Sequence, residues 1–318
     1  MKYEITKEII EMMNLPLLEL MTLADRERAS AFGSTFDICS IINAKSGLCS
    51  QDCKFCAQSH HYSTSIKTYP LQSKESILQA AFSAEARGAA RFGLVTSGHT
   101  PSRGDLEKIA EIIAEIRNKT SLKICASLGS LGPEELTTLR LAGLSRYHHN
   151  IETSPNFYSH ICTTHSFRDR IETIGYAKDA GLEVCSGGIL GIGEGWRDRI
   201  EMALTLKDLA VETVPLNILI PIQGTPLEHM KPSAPSEILR SIALFRLILK
   251  DRIIKLAAGR ESSLRDFQGS AFMAGANGMF VGGYLTVNGR GIEDDRRLIA
   301  DVFQMWQANN PMGSSMLE

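Results

Sequence analysis

The chain has 318 residues, 43% of them hydrophobic and 22% charged, and its 34 basic and 36 acidic side chains leave a formal charge of −2. That length can bury one large core, and a near-neutral balance gives no electrostatic case for nucleic acid or an anionic membrane as a main partner. Seven cysteines, an odd number in a chain without export features, point to reduced thiols in the cytoplasm, used for metal rather than for disulfides.

In chain order, residues 1–35 read as an N-terminal helical cap. Ile9, Ile10, Met13, Leu17, Leu18, Leu20 and Met21 recur at helical spacing. Met1–Asp25 mixes charged residues such as Lys2, Glu4, Lys7, Glu8 and Glu11 with apolar ones, which is not a signal-peptide pattern, and no later run approaches membrane-span length. From Phe36 short apolar, β-rich runs alternate with longer helical patterns. The expected strands are 36–43, 91–96, 122–127, 146–151, 182–188, 213–219, 254–258 and 278–281. Helical patterns fall between or after them at 74–87, 104–118, 133–142, 167–180, 196–209, 235–250 and 262–274. This rhythm, without a linker or low-complexity stretch, predicts an α/β protein: a single (βα)8 TIM-type barrel over 36–287, followed by a C-terminal tail and helix at 288–318. A doubly wound open sheet is the competing architecture. Gly191-Ile192-Gly193-Glu194-Gly195 lies between a strand and a helix but is not a full dinucleotide fingerprint.

The most informative stretch is Cys49-Ser50-Gln51-Asp52-Cys53-Lys54-Phe55-Cys56, three thiols within eight residues. Packing of a helix or strand face does not call for that spacing, and disulfides between residues this close are strained. A short loop with three thiolates can hold three irons of a cubane and leave the fourth open to a small chelator. Following the first strand, it would stand at the C-terminal rim of the barrel, where such folds carry their chemistry. The motif, with an aromatic just before its last Cys, resembles that of the radical S-adenosylmethionine (SAM) enzymes.

Cys39, Cys125 and Cys185 fall in the first, third and fifth expected strands, and Cys162 in a loop, where it reads as a spectator. Interior residues of alternate strands share a layer in such barrels, so the three can converge, and the seventh strand should supply a fourth member. Arg260, just past that strand, is the expected candidate. A second metal–sulfur site outweighs the reading of three small buried hydrophobes.

Taken together, several segments resemble the biotin synthase family: Cys49–Cys56 with Ala57-Gln58-Ser59, the run Tyr147–Ser154, Val184–Ile189, Val214-Pro215-Leu216-Asn217, Gly224-Thr225-Pro226-Leu227, Ala258-Gly259-Arg260-Glu261 and Phe272–Asn277. The resemblance covers roughly Phe36 to Val287. It implies sulfur insertion into dethiobiotin between two unactivated carbons, with an auxiliary Fe-S cluster as sulfur donor. It assigns Cys49, Cys53 and Cys56 to a [4Fe-4S] cluster that chelates SAM. Asn150 and Glu152 match the pair that contacts the SAM ribose, Glu152 replacing the usual Asp, and Ile189 matches an adenine contact. Asn150 and Asn217 match dethiobiotin contacts, and Thr286 a contact to its carboxylate. Cys125, Cys185 and Arg260 match auxiliary-cluster ligands. The common pattern has one more such cysteine after Arg-Phe on the second strand, where this chain reads Arg91-Phe92-Gly93. Cys39, where the common form carries Ser, is the expected replacement. The auxiliary cluster is then [2Fe-2S], or a larger four-iron form such as [4Fe-5S].

The resemblance further implies that one-electron cleavage of SAM yields the radical that abstracts hydrogen from dethiobiotin, with an electron donor such as flavodoxin or ferredoxin and a homodimeric state. Among other polar residues near the rim, Lys45 is a candidate to neutralise cluster or substrate charge, and His149 reads as a packed supporting residue. Two alternatives remain: a radical SAM maturase or mutase on the same barrel without sulfur insertion, and a non-catalytic Fe-S electron carrier. The first has no use for thiols on the third and fifth strands. The second needs neither an enclosed barrel nor the Asn150/Glu152 pair.

Overall fold

The computed structural model describes residues 3–286 and 289–308. The expected boundary at 287/288 and the last part of the expected tail, 309–318, lie outside the described residues.

Two helices, α1 (Lys7–Asn14) and α2 (Leu17–Phe32), precede the first strand. The apolar side of α2 buries Leu20, Met21 and Ala24, and the helix packs mainly on a later helix, α8 (Pro235–Leu249). The barrel strands follow: β1 (Asp37–Lys45), β2 (Arg91–Thr96), β3 (Lys123–Ser127), β4 (Arg146–His148), β5 (Glu183–Cys185), β6 (Gly188–Leu190), β7 (Thr213–Ile218), β8 (Ile253–Leu256) and β9 (Gly278–Phe280). They form one parallel sheet in the order β5-β4-β3-β2-β1-β9-β8-β7-β6, and a β5–β7 pairing at Cys185 and Thr213 closes it. Because β5 and β6 are two pieces of one stave, the sheet is an eight-stave barrel, and the open-sheet alternative is excluded.

The outer helices are α3 (Lys74–Ala86), α4 (Arg103–Lys119), α5 (Pro133–Ala142), α6 (Phe167–Asp179) and α7 (Trp196–Asp208), then α8. Their starts follow from capping chemistry. Ser73, Ser102 and Ser166 each accept from the backbone N–H three residues on, satisfying a donor that the helix itself leaves free. Short α9 (Arg260–Leu264) and α10 (Gln268–Met273) replace the single helix expected at 262–274. The chain turns between them at Arg265, whose φ of 52° no α-helix accommodates. The last helix, α11 (Ile292–Ala308), brings Phe303 and Trp306 onto Phe36.

Two local departures shape the site. The strand expected at 146–151 ends at His148, because Ile151 and Glu152 both turn their N–H groups onto the Gly187 carbonyl. The strand expected at 182–188 breaks at Ser186-Gly187. A Cβ on Gly187 would lie 1.9 Å from the Pro215 carbonyl oxygen, so only glycine lets the two staves approach there.

Candidate active site

A cavity of about 400 Å³ occupies the barrel interior and its C-terminal mouth. It is lined by every residue the sequence nominated except Arg260 and Lys45.

The loop 49–56 leaves β1 through Leu48, a non-glycine residue at φ 54°, the kind of backbone strain that persists where surrounding structure fixes it. Around it, Cys49 N–H donates to Gln58 O and His60 N–H returns to Cys49 O. Asp52 ties the loop to a second segment, 162–165. Its carboxylate accepts from the N–H groups of Thr163 and Thr164, at 2.9 and 3.1 Å, and from both hydroxyls. Burial opposes its charge, but the Thr163 and Cys162 donors hold Asp52 far below the ordinary carboxylate range. Cys49, Cys53 and Cys56 are free thiols. Burial pushes Cys56 up to about 11. Cys53 lies 3.8 Å from Cys162, Sγ to Sγ; contact with Cys162 and burial raise Cys53, and contact with Cys53 lowers Cys162.

Beyond β4 the chain adopts another strained residue, Glu152 at φ 66°. Asn150 donates to Glu152 Oε2 at 3.2 Å and accepts from Gly187 N–H at 3.0 Å. Arg170 of α6 supports the turn, donating to Asn150 O at 2.9 Å and lying 3.8 Å from Glu152 Oε1. Burial pushes the Glu152 carboxyl up against the pull of Arg170. Ile189 and Asn217 face the same cavity, with Asn217 bridging Gly188 O and Ala258 N–H, both at 3.3 Å. Thr286 lines it near the end of the first described segment.

Deeper in the barrel, Cys39, Cys125 and Cys185 line the cavity from β1, β3 and β5, as alternate-stave geometry requires. The seventh stave does supply the fourth member, but it is Lys255, not Arg260. Lys255 Nζ lies 2.6 Å from Cys39 Sγ and 3.0 Å from Asp37 Oδ1. Arg260 begins α9, and its guanidinium turns away onto Asp295, with Nη2 at 2.8 and 2.9 Å from the two carboxylate oxygens. Its other donors go to Gln268 and Tyr284. The expectation that Arg260 joins the thiols is corrected: four residues past the strand end, its donors are spent on Asp295, Gln268 and Tyr284 rather than on the thiols.

The cationic partners are instead Lys255, Arg91 and Arg146, each within 3.7 Å of Asp37, with Arg91 and Arg146 also pairing with Glu183 at 2.9 and 2.7 Å. Burial pushes Cys39 up to about 12 and raises Cys125 and Cys185, with these cations pulling the other way. Arg146 Nη1 is buried without a hydrogen-bond acceptor among the described residues, and His148 Nδ1 stands 3.2 Å from Cys185 Sγ. Three buried thiols among an excess of cations, one with an unmet donor, fit an anionic thiolate-bound Fe-S cluster. At Gly93 a Cβ would meet the Ile41 methyl at 3.1 Å and Cys125 Cβ at 3.9 Å, so the space beside Cys125 is taken by Ile41. Lys45 does not reach the cavity; it pairs with Asp105 at 2.9 Å.

His149 is 6% exposed and its Nε2 has no hydrogen-bond partner among the described residues. Burial, with Arg170 nearby, holds its imidazole well below the usual range. The folded chain therefore binds fewer protons there than the unfolded chain, and that stability is present above about pH 6.5 and lost as pH falls below it. The urea midpoint should fall between pH 7.5 and pH 5.5, and fall less in His149→Gln. An unchanged slope in the variant would assign the acid sensitivity elsewhere.

Sequence comparison gives concordant matches. Residues 45–206 match the Radical SAM superfamily and residues 215–302 the Biotin and Thiamin Synthesis associated domain. The biotin synthase of Thermotoga neapolitana is 59% identical over 267 residues, 84% of this chain and 95% of that one. That of Pelotomaculum thermopropionicum is 52% identical over 90% of this chain and 89% of its own. Among solved structures, methylornithine synthase (PylB) superposes with a TM-score of 0.80 at 22% identity, covering 96% of this chain and 97% of that one. The hydrogenase maturase HydG of Carboxydothermus hydrogenoformans gives 0.77 at 18% identity, covering 93% and 78%. At those identities the two structures speak to the barrel alone.

Proposed function

Because the chain belongs to the biotin synthase family, within the radical SAM superfamily, we propose that its barrel holds two Fe-S clusters, SAM and dethiobiotin in one cavity. It is a radical SAM sulfurtransferase that converts dethiobiotin to biotin. When bound, the first cluster and SAM supply a carbon-centred radical and the auxiliary cluster supplies the sulfur atom.

The chain's own residues bind, orient and insulate. Cys49, Cys53 and Cys56 hold the [4Fe-4S] cluster, on a loop that Asp52 fastens to segment 162–165. Asn150 and Glu152 hold the SAM ribose, Arg170 fixes their turn, and Ile189 covers the adenine. Asn150 and Asn217 orient the substrate ring, and Thr286 receives its carboxylate. Cys39, Cys125 and Cys185 hold the auxiliary cluster in place of the set that Gly93 interrupts. Lys255 and Arg146 offset its negative charge, and Lys255 takes the role first expected of Arg260. The cluster is a four-iron form such as [4Fe-5S] or a [2Fe-2S] centre. A low-potential flavodoxin or ferredoxin is the proposed electron donor, a homodimer the proposed assembly and the cytoplasm the proposed location. Among the described residues no helix is long and apolar enough to cross a membrane.

The observation that carries this reading is that two sets of three free thiols line one cavity, together with Asn150, Glu152 and Asn217. The test uses anaerobically reconstituted protein with SAM and a reductant. 5′-Deoxyadenosine should form in a dethiobiotin-dependent manner, with biotin as the product. SAM cleavage without biotin would favour the maturase or mutase reading, and no cleavage at all the electron carrier.

A further inference from the structure

Arg260 belongs to neither ligand set, yet its side chain is fully buried and all three guanidinium nitrogens are engaged. Nη2 meets both oxygens of Asp295 and lies 3.2 Å from Glu261 Oε1, and Nη1 donates to Gln268. Nε donates to the Tyr284 hydroxyl at 3.0 Å, and that hydroxyl donates in turn to Glu261 Oε1 at 2.9 Å. The phenol oxygen is therefore held from two sides. Its seat is the start of α9, and the buried Arg260–Asp295 pair ties that seat to α11.

Tyr284 itself comes from elsewhere, in the segment that leaves β9, four residues past Phe280. Tyr284, Leu285 and Thr286 all line the cavity. The two residues before Tyr284 are Gly282, at φ 85°, and Gly283, and a Cβ on either would meet nothing within 4 Å among the described residues. Two glycines in open space do not by themselves direct a chain, so the course of the segment is set by what its next residues touch. One such contact is the Tyr284 hydroxyl on Arg260 and Glu261. The other is the Leu285 carbonyl, which accepts from Asn43 Nδ2 of β1 at 3.0 Å. Thr286 follows directly on these two pins.

We infer that Tyr284 is a positioning residue for the substrate: its phenol, seated on Arg260 and Glu261, sets where Thr286 stands to receive the dethiobiotin carboxylate. This rests on the reading that Thr286 receives that carboxylate. A receiving group on an unpinned, glycine-led segment has to be ordered when the substrate binds, and that ordering is subtracted from the affinity. With the phenol docked, the ordering is already done. Arg260 then serves the same reaction from outside the thiol layer, by holding the segment that meets the far end of the substrate.

The test is calorimetric binding of dethiobiotin to the full-length, anaerobically reconstituted chain with SAM present and no reductant, so that nothing turns over. Tyr284→Phe keeps the ring and removes the hydroxyl, and the Kd for dethiobiotin should rise roughly three- to tenfold, the worth of about one hydrogen bond. The Kd for SAM alone, the iron and sulfide contents, and the rate of biotin formation at saturating dethiobiotin should stay as they are. Tyr284→Leu, which cannot dock on Arg260 either, should weaken the same Kd. The decisive comparison adds Tyr284→Phe to Thr286→Val: if the phenol acts through Thr286, the double variant binds dethiobiotin about as weakly as Thr286→Val alone. An unchanged Kd in both Tyr284 variants, or a Tyr284→Phe loss of the same size with and without Thr286, would overturn the inference. Failure of the underlying reading looks different, because Thr286→Val alone would then leave the Kd for dethiobiotin unchanged.

Discussion

Cys39→Ala is expected to abolish the auxiliary cluster's absorbance and biotin formation, and Lys255→Met to cut both roughly 10–100-fold, while the SAM cluster persists in each. Cys39 is expected to be the more severe, because it removes a thiolate that no nearby side chain replaces. Lys255→Met acts through the partner. Its ammonium lies 2.6 Å from Cys39 Sγ and 3.0 Å from Asp37, inside a barrel where an unpaired thiolate is costly. Removing it leaves the Asp37 carboxylate and the Cys39 sulfur facing each other with less compensation, so the thiol stays protonated and ligates poorly. Loss of a residue that supports a metal ligand typically costs roughly 10–100-fold in affinity or activity. The check is iron content, with Mössbauer spectra of 57Fe-reconstituted protein, which should fall to that of one four-iron cluster. 5′-Deoxyadenosine formation should survive in part, since the groups that hold the first cluster and SAM are untouched. If both clusters load fully in the Cys39 and Lys255 variants, neither residue holds the auxiliary site.

The sequence carried the barrel because its signal is periodic: β2 and α5 begin and end where apolar spacing and capping residues place them. It carried the cluster loop because three thiols at that spacing have few other uses. The layer rule also worked, in that the seventh stave supplies the residue facing the other thiols. What failed was the choice of residue. Arg260 follows the strand, and a chain leaving a barrel stave can turn its side chain either way; here the turn at Gly259, at φ 87°, sends it outward. A signal for Lys255 was present, because a lone charge within Ile253-Ile254-Lys255-Leu256 demands a buried partner. Cys162 reads in the sequence only as a loop spectator, and its surroundings are not legible there. Its neighbours Asp52 and Cys53 are more than a hundred residues away in sequence, and only the folded loop brings them together.

Arg260→Ala is expected to unfold the protein more easily without touching the auxiliary cluster's chemistry. The Arg260 side chain is fully buried, and it meets both oxygens of Asp295, itself only 1% exposed. Removing one member of such a pair leaves an uncompensated buried carboxylate and costs about 3–5 kcal/mol. Gln268 and Tyr284 lose a partner at the same time. The sign of the pH dependence follows from Asp295. Burial already raises its carboxyl above the usual value while Arg260 pulls it down, so without Arg260 the folded-state value climbs further. A folded-state value above the unfolded one means stability lost as pH rises, so the variant's deficit is largest near neutrality and shrinks as Asp295 protonates. Urea midpoints of Arg260→Ala at pH 5 and pH 7.5 check this, and Arg260→Met with Asp295→Leu should recover part of the loss. A variant as stable as the unsubstituted chain but lacking the auxiliary cluster would put Arg260 back among the thiols.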